Sequence, residues 1–278
     1  MAHEHGHHGH ARTFDGLDDE TAAFARHWDD LLDWVVEQAG APSFVVDLGA
    51  GNGVASLGLA RRLPTAQITA IDAQDTWFSV LAERAERAGV AALVHTVVAD
   101  IDHEVPMSSA DVVFASNCLH HVADAGAVLR RLGDASDGDA MLCVVEVALP
   151  LLVLADDDPA AAAERRAADA LGMRLRESMP LHGGPWAQVI GDNGWQVVEE
   201  REFVTTADPA SDAAAARHAL RHLDRLAAAS TDRVTRVDSE SLLDAVDRAR
   251  RATRAVSWDL RGSRTAVLAR PARTADTR

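Results

Sequence analysis

Residues Val45 to Gly53 read VVDLGAGNG, and the architecture of the chain can be worked out from this stretch. The continuous apolar run at 43–48 predicts a buried strand of the parallel type. Gly49, Gly51 and Gly53 follow at every second position, where the strand turns into a helix. Glycine in such a turn allows positive φ angles and lets a ligand lie against the backbone. The stretch therefore predicts a ligand-binding loop at the carboxyl end of the first strand.

Strand-like and helical patterns alternate through about residue 148. Each helix is long enough for a βαβ crossover. The pattern predicts an α/β fold: a Rossmann-like, doubly wound, seven-stranded and mostly parallel sheet with helices on both faces and an added helical cap. The predicted strands are 43–48, 67–72, 92–99, 111–116, 140–148, 195–204 and 264–269. The predicted helices are 18–38, 54–63, 76–88, 124–132, 156–175, 185–191, 213–229 and 239–251.

Six segments follow from this pattern and from the change of rhythm after Pro150. We expect a disordered histidine-rich leader at 1–17, an N-terminal helical lid at 18–42 and a ligand-binding core at 43–148. A helical segment on the substrate side is expected at 149–194, the last two strands with a helical insertion at 195–270, and a tail at 271–278. The aromatic residues Trp28 and Trp186 fit either a lid over the site or the core.

The composition narrows the class of partner. The 278 residues carry a formal net charge of −16, which repels phosphate backbones and anionic lipids, so we expect a small-molecule substrate, no nucleic acid and no membrane. Neither an apolar stretch long enough to span a bilayer nor a secretory signal is visible. Cys118 and Cys143 lie in apolar runs and fit core thiols in a reducing cytoplasm. A homodimer remains an open expectation.

The identity of the ligand depends on the spacing around Gly51. A dinucleotide loop uses G-x-G-x-x-G, whereas here Gly53 comes one residue early and Val54 takes the place of the third glycine. Asp47 stands two residues before the first glycine, where a carboxylate would repel a pyrophosphate but suits an ammonium or a sulfonium group. The chain also has no tyrosine, which common reductase chemistry uses. These features favour a ligand other than a dinucleotide.

At these residues the sequence resembles the class I S-adenosylmethionine-dependent methyltransferases, of the bacterial type that modifies small molecules and natural products. VVDLGAGNG is similar to their first motif, and ADVVFASNCLHHV to their fourth. The acids that end ITAID and VVADI also match the family. The resemblance covers about residues 43–148 well and continues more loosely through GWQVVEE and SRTAVLAR. It implies S-adenosylmethionine as cofactor and S-adenosylhomocysteine as product.

The resemblance also implies roles for individual residues. Asp72 would hold the ribose hydroxyls, Asp100 the adenine amino group with the Ile101 amide beside it, and Asn117 would border the methionine moiety. The expected cofactor-binding residues are Asp47, Gly49, Ala50, Gly51, Gly53, Asp72, Ala73, Asp100, Ile101 and Asn117.

Two of these acids have an ordinary alternative. Asp72 could cap the helix that begins near Thr76. Asp100 could serve only as a turn acid, because Asp102 and Glu104 are equally available in ADIDHE.

Three residues are candidates for catalysis. The resemblance points to His121, the second histidine of LHH, as the base that deprotonates the acceptor, with His120 in a structural role. Glu146 at the end of the fifth strand could orient a histidine or a substrate group, or pair with a buried arginine. His182 in LHGGPW is a second candidate base. His121 has its own structural alternative, since LHHV also packs and caps the following helix.

No metal site is expected. His95 falls within a strand, and Asp156, Asp157 and Asp158 are consecutive, which fits the start of a helix. The five histidines of MAHEHGHHGH could bind Zn²⁺ or Ni²⁺, but a leader without a role in the chemistry explains them equally.

The sequence thus predicts transfer of a methyl group to a small organic acceptor, by O- or N-methylation in secondary metabolism. Two alternatives stay open. The chain could use the S-adenosylmethionine pocket for non-methylating chemistry or regulation, or it could be an NAD(P)-dependent oxidoreductase on a similar sheet.

Overall fold

The structure, a computed structural model, describes residues 14–107, 109–136 and 138–272. Residues 1–13, which are rich in histidine, and residues 273–278 lie outside these ranges. The structure therefore does not bear on metal binding by the leader. Residues 14–17, which the sequence suggested as part of the leader, belong to the first helix. The strands are β1 Phe44–Leu48, β2 Gln67–Asp72, β3 Val94–Val98, β4 Val112–Ser116, β5 Met141–Leu154, β6 Trp195–Ala207 and β7 Trp258–Pro271.

The strands form one seven-stranded sheet in the order β3-β2-β1-β4-β5-β7-β6. β1 lies between β2 and β4, and the pairs from β3 through β5 are parallel. β7 runs antiparallel between β5 and β6. The predicted seven-stranded, mostly parallel and doubly wound sheet is confirmed. The strand order reverses between β1 and β4, where a fold of this kind binds its ligand.

Helices cover both faces because each strand of the core is apolar on both sides. One face packs against α2, α3 and α4 around Leu31, Val45 and Phe114. The other packs against α5 and α7 around Val46, Leu129 and Trp195. The helices are α1 Phe14–Ala23, α2 Ala25–Ala39, α3 Val54–Arg62, α4 Phe78–Arg87, α5 Ala125–Ala135, α6 Ala161–Ser178, α7 Trp186–Gly191, α8 Ala213–Ser230 and α9 Arg236–Arg251. None of these described helices is long and apolar enough to cross a bilayer.

The last three strands are longer than the sequence predicted. β5 was expected to end at residue 148 but continues to Leu154, paired with a β7 that begins at Trp258. The pairing shifts register on both sides of Pro150, which has no N–H to donate. This ribbon rises past the carboxyl edge of the sheet and carries a separate apolar cluster formed with α6, α8 and α9. The helical cap is thus built on the strands themselves.

Several local predictions have clear outcomes. Asp124 is confirmed as the N-cap of α5, accepting from the Ala127 backbone N–H at 2.9 Å. The expected helix start at Asp156 is wrong: α6 begins at Ala161, because Asp158 folds into a turn and binds Arg248 at 2.9 Å. His95 lies in β3 and contacts the Gln67 side chain at 2.7 Å.

The structure also shows where two tryptophans and the two cysteines lie. Trp186 is a buried core residue, and Trp28 is partly buried between two apolar clusters. Cys143 lies inside β5, but Cys118 is not in a strand: it follows β4 in a loop, and both thiols are free.

Candidate functional site

The glycine loop connects β1 to α3 at the switch point of the sheet. Gly49, Gly51 and Gly53 all have positive φ, at 65°, 51° and 77°. A Cβ on Gly49 would collide with the Cβ of Cys118, and one on Gly53 would collide with Leu81. A side chain is therefore disfavoured at Gly49 and Gly53 by both backbone conformation and space, and at Gly51 by backbone conformation, which leaves the main chain at Gly51 uncovered by a side chain of its own.

Asp47 lies beneath the loop and is almost fully buried. Its Oδ2 accepts from the Ser56 hydroxyl at 2.5 Å, within the first turns of α3. Burial raises the pKa of Asp47 to about 7, opposed by the hydrogen bonds from Ser56 and reinforced by the nearby charge of Asp72. The carboxyl is thus poised between charged and neutral forms, and a cation bound above it would favour the charged form.

Asp72, at the end of β2, joins the glycine loop. Its Oδ2 accepts from the Gly51 N–H at 2.9 Å, and its Oδ1 accepts from the Gln74 N–H at 3.0 Å. It does not cap the following helical turn, whose N-cap residue is Gln74. Ala73 beside it is exposed at the rim. A carboxylate that spans loop and strand end is in the position to bind two vicinal hydroxyls.

Asp100 and Ile101 lie in the turn after β3. The side chain of Asp100 accepts from the Asp102 N–H at 3.0 Å and lies 3.0 Å from Nδ1 of His103. It therefore has the contacts of a turn acid, in addition to standing at the rim beside Asp72. The Ile101 carbonyl accepts from Arg131 at 2.7 Å, and Asp102 caps the Ala123 N–H at 2.8 Å.

Asn117 follows β4 with a positive φ of 50°. Its N–H donates to the Val145 carbonyl at 2.8 Å, and its Nδ2 donates to the Ser116 hydroxyl at 3.3 Å. Its Oδ1 is buried and has no hydrogen-bond partner among the described residues, and the same is true of Nδ2 of Asn52 in the glycine loop. A buried amide atom without a partner costs about 1–3 kcal/mol unless a ligand completes it.

The groups around the glycine loop can be matched to those of S-adenosylmethionine. The loop offers a main-chain cradle, Asp72 a carboxylate for a diol, and Asn52 and Asn117 an unpaired donor and acceptor. Asp47 adds negative charge for the ammonium or the sulfonium. The residues present therefore fit this cofactor.

Glu146, which lies within β5 just past its parallel pairing with β4, forms a buried pair with His120. Oε2 of Glu146 lies 2.5 Å from Nδ1 of His120, and its Oε1 accepts from the Leu119 N–H at 3.1 Å. Glu146 is 1% and His120 is 8% exposed. Of the alternatives for Glu146, the structure shows orientation of a histidine, and that histidine is His120.

Two further histidines surround His120. The ring of His121 lies 4.1 Å from that of His120 but belongs to an exposed residue. The ring of His182 stands edge-on at 5.2 Å. Burial, followed by the proximity of His120, lowers the pKa of His182, so this imidazole is neutral near neutral pH. The sequence missed His120 as the partner of Glu146; the placement of Glu146 at the end of the adjacent strand was the available signal.

Cys118 lies between the glycine loop and the histidine pair: a Cβ on Gly49 would meet its side chain, and the next residue, Leu119, donates its N–H to Glu146. Burial raises the pKa of its thiol well above the ordinary value, and the carboxylates of Glu146, Asp47 and Asp72 raise it further. The thiol itself is neutral and unreactive.

A groove of about 590 Å³ lies elsewhere, between α2 and β6. His27, Asp30, Trp34 and Phe203 line it, and none of the candidate residues does. Among the described residues, no three His, Cys, Asp or Glu side chains converge as a metal site. The chemistry is concentrated at the switch point.

Comparison with known proteins agrees with this geometry. Residues 45–135 match the family model described as a methyltransferase domain. This stretch, about a third of the chain, is thus similar to methyltransferase domains. An uncharacterised methyltransferase of Mycobacterium tuberculosis (strain H37Rv) is 33% identical over 127 residues, which cover 45% of this chain and 60% of that protein. The chain thus matches about three fifths of the length of that relative.

Solved structures of methyltransferases share the fold of this chain. A methyltransferase-fold protein of Bacillus halodurans is 16% identical, covering 87% of this chain and 99% of that one, with a TM-score of 0.55. Coclaurine N-methyltransferase, solved with N-methylheliamine and S-adenosylhomocysteine, is 17% identical over 87% of this chain and 72% of that one, with a TM-score of 0.51. At these identities the likeness establishes the fold.

Proposed function

We propose that the chain transfers a methyl group from S-adenosylmethionine to a hydroxyl or amine of a small organic acceptor, in secondary metabolism. The observation that carries the proposal is the buried Glu146–His120 pair beside the glycine loop of a methyltransferase domain. Binding of the cofactor requires the glycine loop and not the pair. An imidazole that a carboxylate orients at the carboxyl edge of the sheet is suited to proton transfer.

The cofactor, when bound, supplies an electrophilic methyl group on a sulfonium. In the proposal, Asp72 holds the ribose hydroxyls, Asp100 and Ile101 the adenine, and the main chain of Gly49 to Gly51 the methionine moiety. Asp47 complements the positive charge of that moiety. Ala50, Gly53, Ala73 and Asn117 complete the walls of the pocket.

His120 is the proposed base. Because Nδ1 faces Glu146, Nε2 is the ring nitrogen left to face the acceptor. Nε2 would take the proton of the acceptor while the acceptor oxygen or nitrogen bonds to the methyl carbon and the carbon–sulfur bond breaks, with S-adenosylhomocysteine as the leaving group, and Glu146 would stabilise the resulting imidazolium. This assignment replaces His121, which is exposed, whereas His120 is buried. His182 is the proposed neighbour that narrows the space around the base.

The acceptor is proposed to be neutral or cationic. The net charge of −16 disfavours anionic ligands. The helices of the cap and the lid would exclude water around the reacting groups.

Two measurements test the proposal. S-adenosylhomocysteine should raise the melting temperature of the chain, and NAD or NADP should not. With labelled S-adenosylmethionine, at least one hydroxyl or amine in a broad acceptor panel should gain the label. Stabilisation by NAD alone would favour an oxidoreductase. Binding of S-adenosylhomocysteine without methylation of any acceptor would favour non-methylating use of the pocket.

A further inference from the structure

Three consecutive acids of α1 reach three different parts of the molecule. Asp18 forms an ion pair with Arg84 of α4. Asp19 forms ion pairs with Arg217 and Arg221 of α8, and Glu20 reaches Arg264 of β7 at 3.5 Å. Successive residues of a helix point about 100° apart, so one short helix can serve three directions. α1 is thereby tied to the core, the cap and the ribbon at once.

Arg84 connects α1 to the glycine loop. While one terminal nitrogen pairs with Asp18, the other donates to the carbonyl of Asn52 at 3.2 Å. Asn52 lies between Gly51 and Gly53 and has the buried amide nitrogen without a partner. A ligand that completes this amide fixes the residue whose carbonyl Arg84 holds. The guanidinium group of Arg84 therefore links the backbone of the glycine loop directly to α1.

Asp19 connects α1 to the cap. It is 8% exposed, and Arg217 donates to it three times, at 2.7, 3.1 and 3.1 Å. The hydrogen bond from Arg217 is the largest cause that lowers the pKa of Asp19, so the carboxylate stays charged. α8 in turn packs against α6 and α9 above the carboxyl edge. This second link is multidentate and joins a buried carboxylate to two partly exposed arginines.

We infer that Asp18, Arg84 and Asp19 are positioning residues that couple occupancy of the glycine loop to closure of the cap. The inference rests on the proposed function, because the cofactor is the ligand that orders the loop. Cofactor bound first would fix Asn52, draw α1 onto the loop through Arg84, and pull α8 down through Asp19. The acceptor would then enter a cap that the cofactor has already organised.

The test combines calorimetry with hydrogen–deuterium exchange on the full chain. In the unaltered protein, S-adenosylhomocysteine should slow exchange in the glycine loop, in α1 and in α8. Asp18→Asn and Asp19→Asn each remove one link and leave the loop intact. Both variants should bind S-adenosylhomocysteine about two- to fivefold more weakly, as expected for pairs of this kind. In both, slowed exchange should remain in the loop and disappear from α8.

Asp29→Asn is the matched control, since Asp29 forms a similar exposed pair with Arg62 at 2.7 Å that links α2 to α3. It should retain full affinity and the slowed exchange of α8. Cooperative thermal unfolding of each variant without ligand, well above the temperature of the binding experiment, would show that folding is intact; Asp19→Asn should melt lowest because it loses the multidentate pair. The inference is overturned if α8 responds equally in Asp19→Asn, or if the unaltered protein binds S-adenosylhomocysteine with no response in α8. Failure of the unaltered protein to bind S-adenosylhomocysteine would overturn the proposed function as well.

Discussion

Glu146 Oε2 lies 2.5 Å from Nδ1 of His120, and both side chains are shielded from water at the carboxyl edge of the sheet. A buried carboxylate orients an imidazole and stabilises its protonated form. His121, one residue later, is exposed. Adjacent histidines of one tripeptide thus have different environments, and they should differ in function.

His120→Gln should lower kcat about 10²- to 10⁴-fold with a verified acceptor, since general-base catalysis contributes that much. Glu146→Gln should also lower kcat, because the imidazole of His120 loses the carboxylate that orients it. His121→Gln should change kcat little and is the matched control. Affinity for S-adenosylhomocysteine should stay unchanged in all three, measured by calorimetry. Full turnover by His120→Gln would remove His120 from the mechanism.

Asp72→Ala should weaken binding of S-adenosylhomocysteine by about 1–3 kcal/mol, through loss of hydrogen bonds to the ribose. Asp75→Ala, three residues later on the exposed turn Asp75–Trp77, is the control and should bind as the unaltered chain does. Calorimetry gives both values. Equal affinities of the two variants would show that Asp72 does not hold the ligand.

Gly49→Ala should destabilise the fold more than Gly89→Ala. Both glycines have positive φ, 65° and 71°, so each substitution carries a similar backbone strain of about 1 kcal/mol. Only the Cβ at Gly49 meets another residue, Cys118, whereas that at Gly89 meets nothing within 4 Å. We expect an additional loss of about 1–3 kcal/mol for Gly49→Ala. Denaturant unfolding of both variants measures it, and equal losses would contradict the contact.

Asp47 should make stability depend on pH. Its folded pKa is raised to about 7, against 3.8 as the ordinary value, so the unfolded chain releases this proton first. The free energy of unfolding of the unaltered chain relative to Asp47→Asn should therefore fall as pH rises from about 4 to about 7, by on the order of a few kcal/mol, and level off above. Urea unfolding of both proteins across this range tests the sign. A difference that is constant with pH would mean that the carboxyl titrates normally.

Much of the fold could be predicted because local signals agreed with the topology. Apolar strands, the turn at Gly49 to Gly53 and the cap residue Asp124 each report their own structure locally. The ends of β5 and β7 could not be predicted, because pairing across the sheet extends strands past Pro150 without a local signal. The start of α6 failed for a similar reason: Arg248, 90 residues away, holds Asp158 in a turn.

Some residues of the candidate site could be predicted from the sequence, and others could not. Asp72 and the glycines follow from their order along the chain, since strand ends meet at one edge. The choice between His120 and His121 depends on which ring faces β5, which neighbouring positions in a short 3-10 turn do not reveal. The arginine links of α1 join residues up to 202 positions apart and lie beyond sequence patterns.

A crystal structure of the chain with S-adenosylhomocysteine would decide where the cofactor lies relative to the histidine pair. We expect the ribose at Asp72, the adenine beside Asp100 and Ile101, and the sulfur facing the space next to His120 and Glu146. A ligand bound away from the glycine loop, or a sulfur turned away from His120, would contradict this expectation.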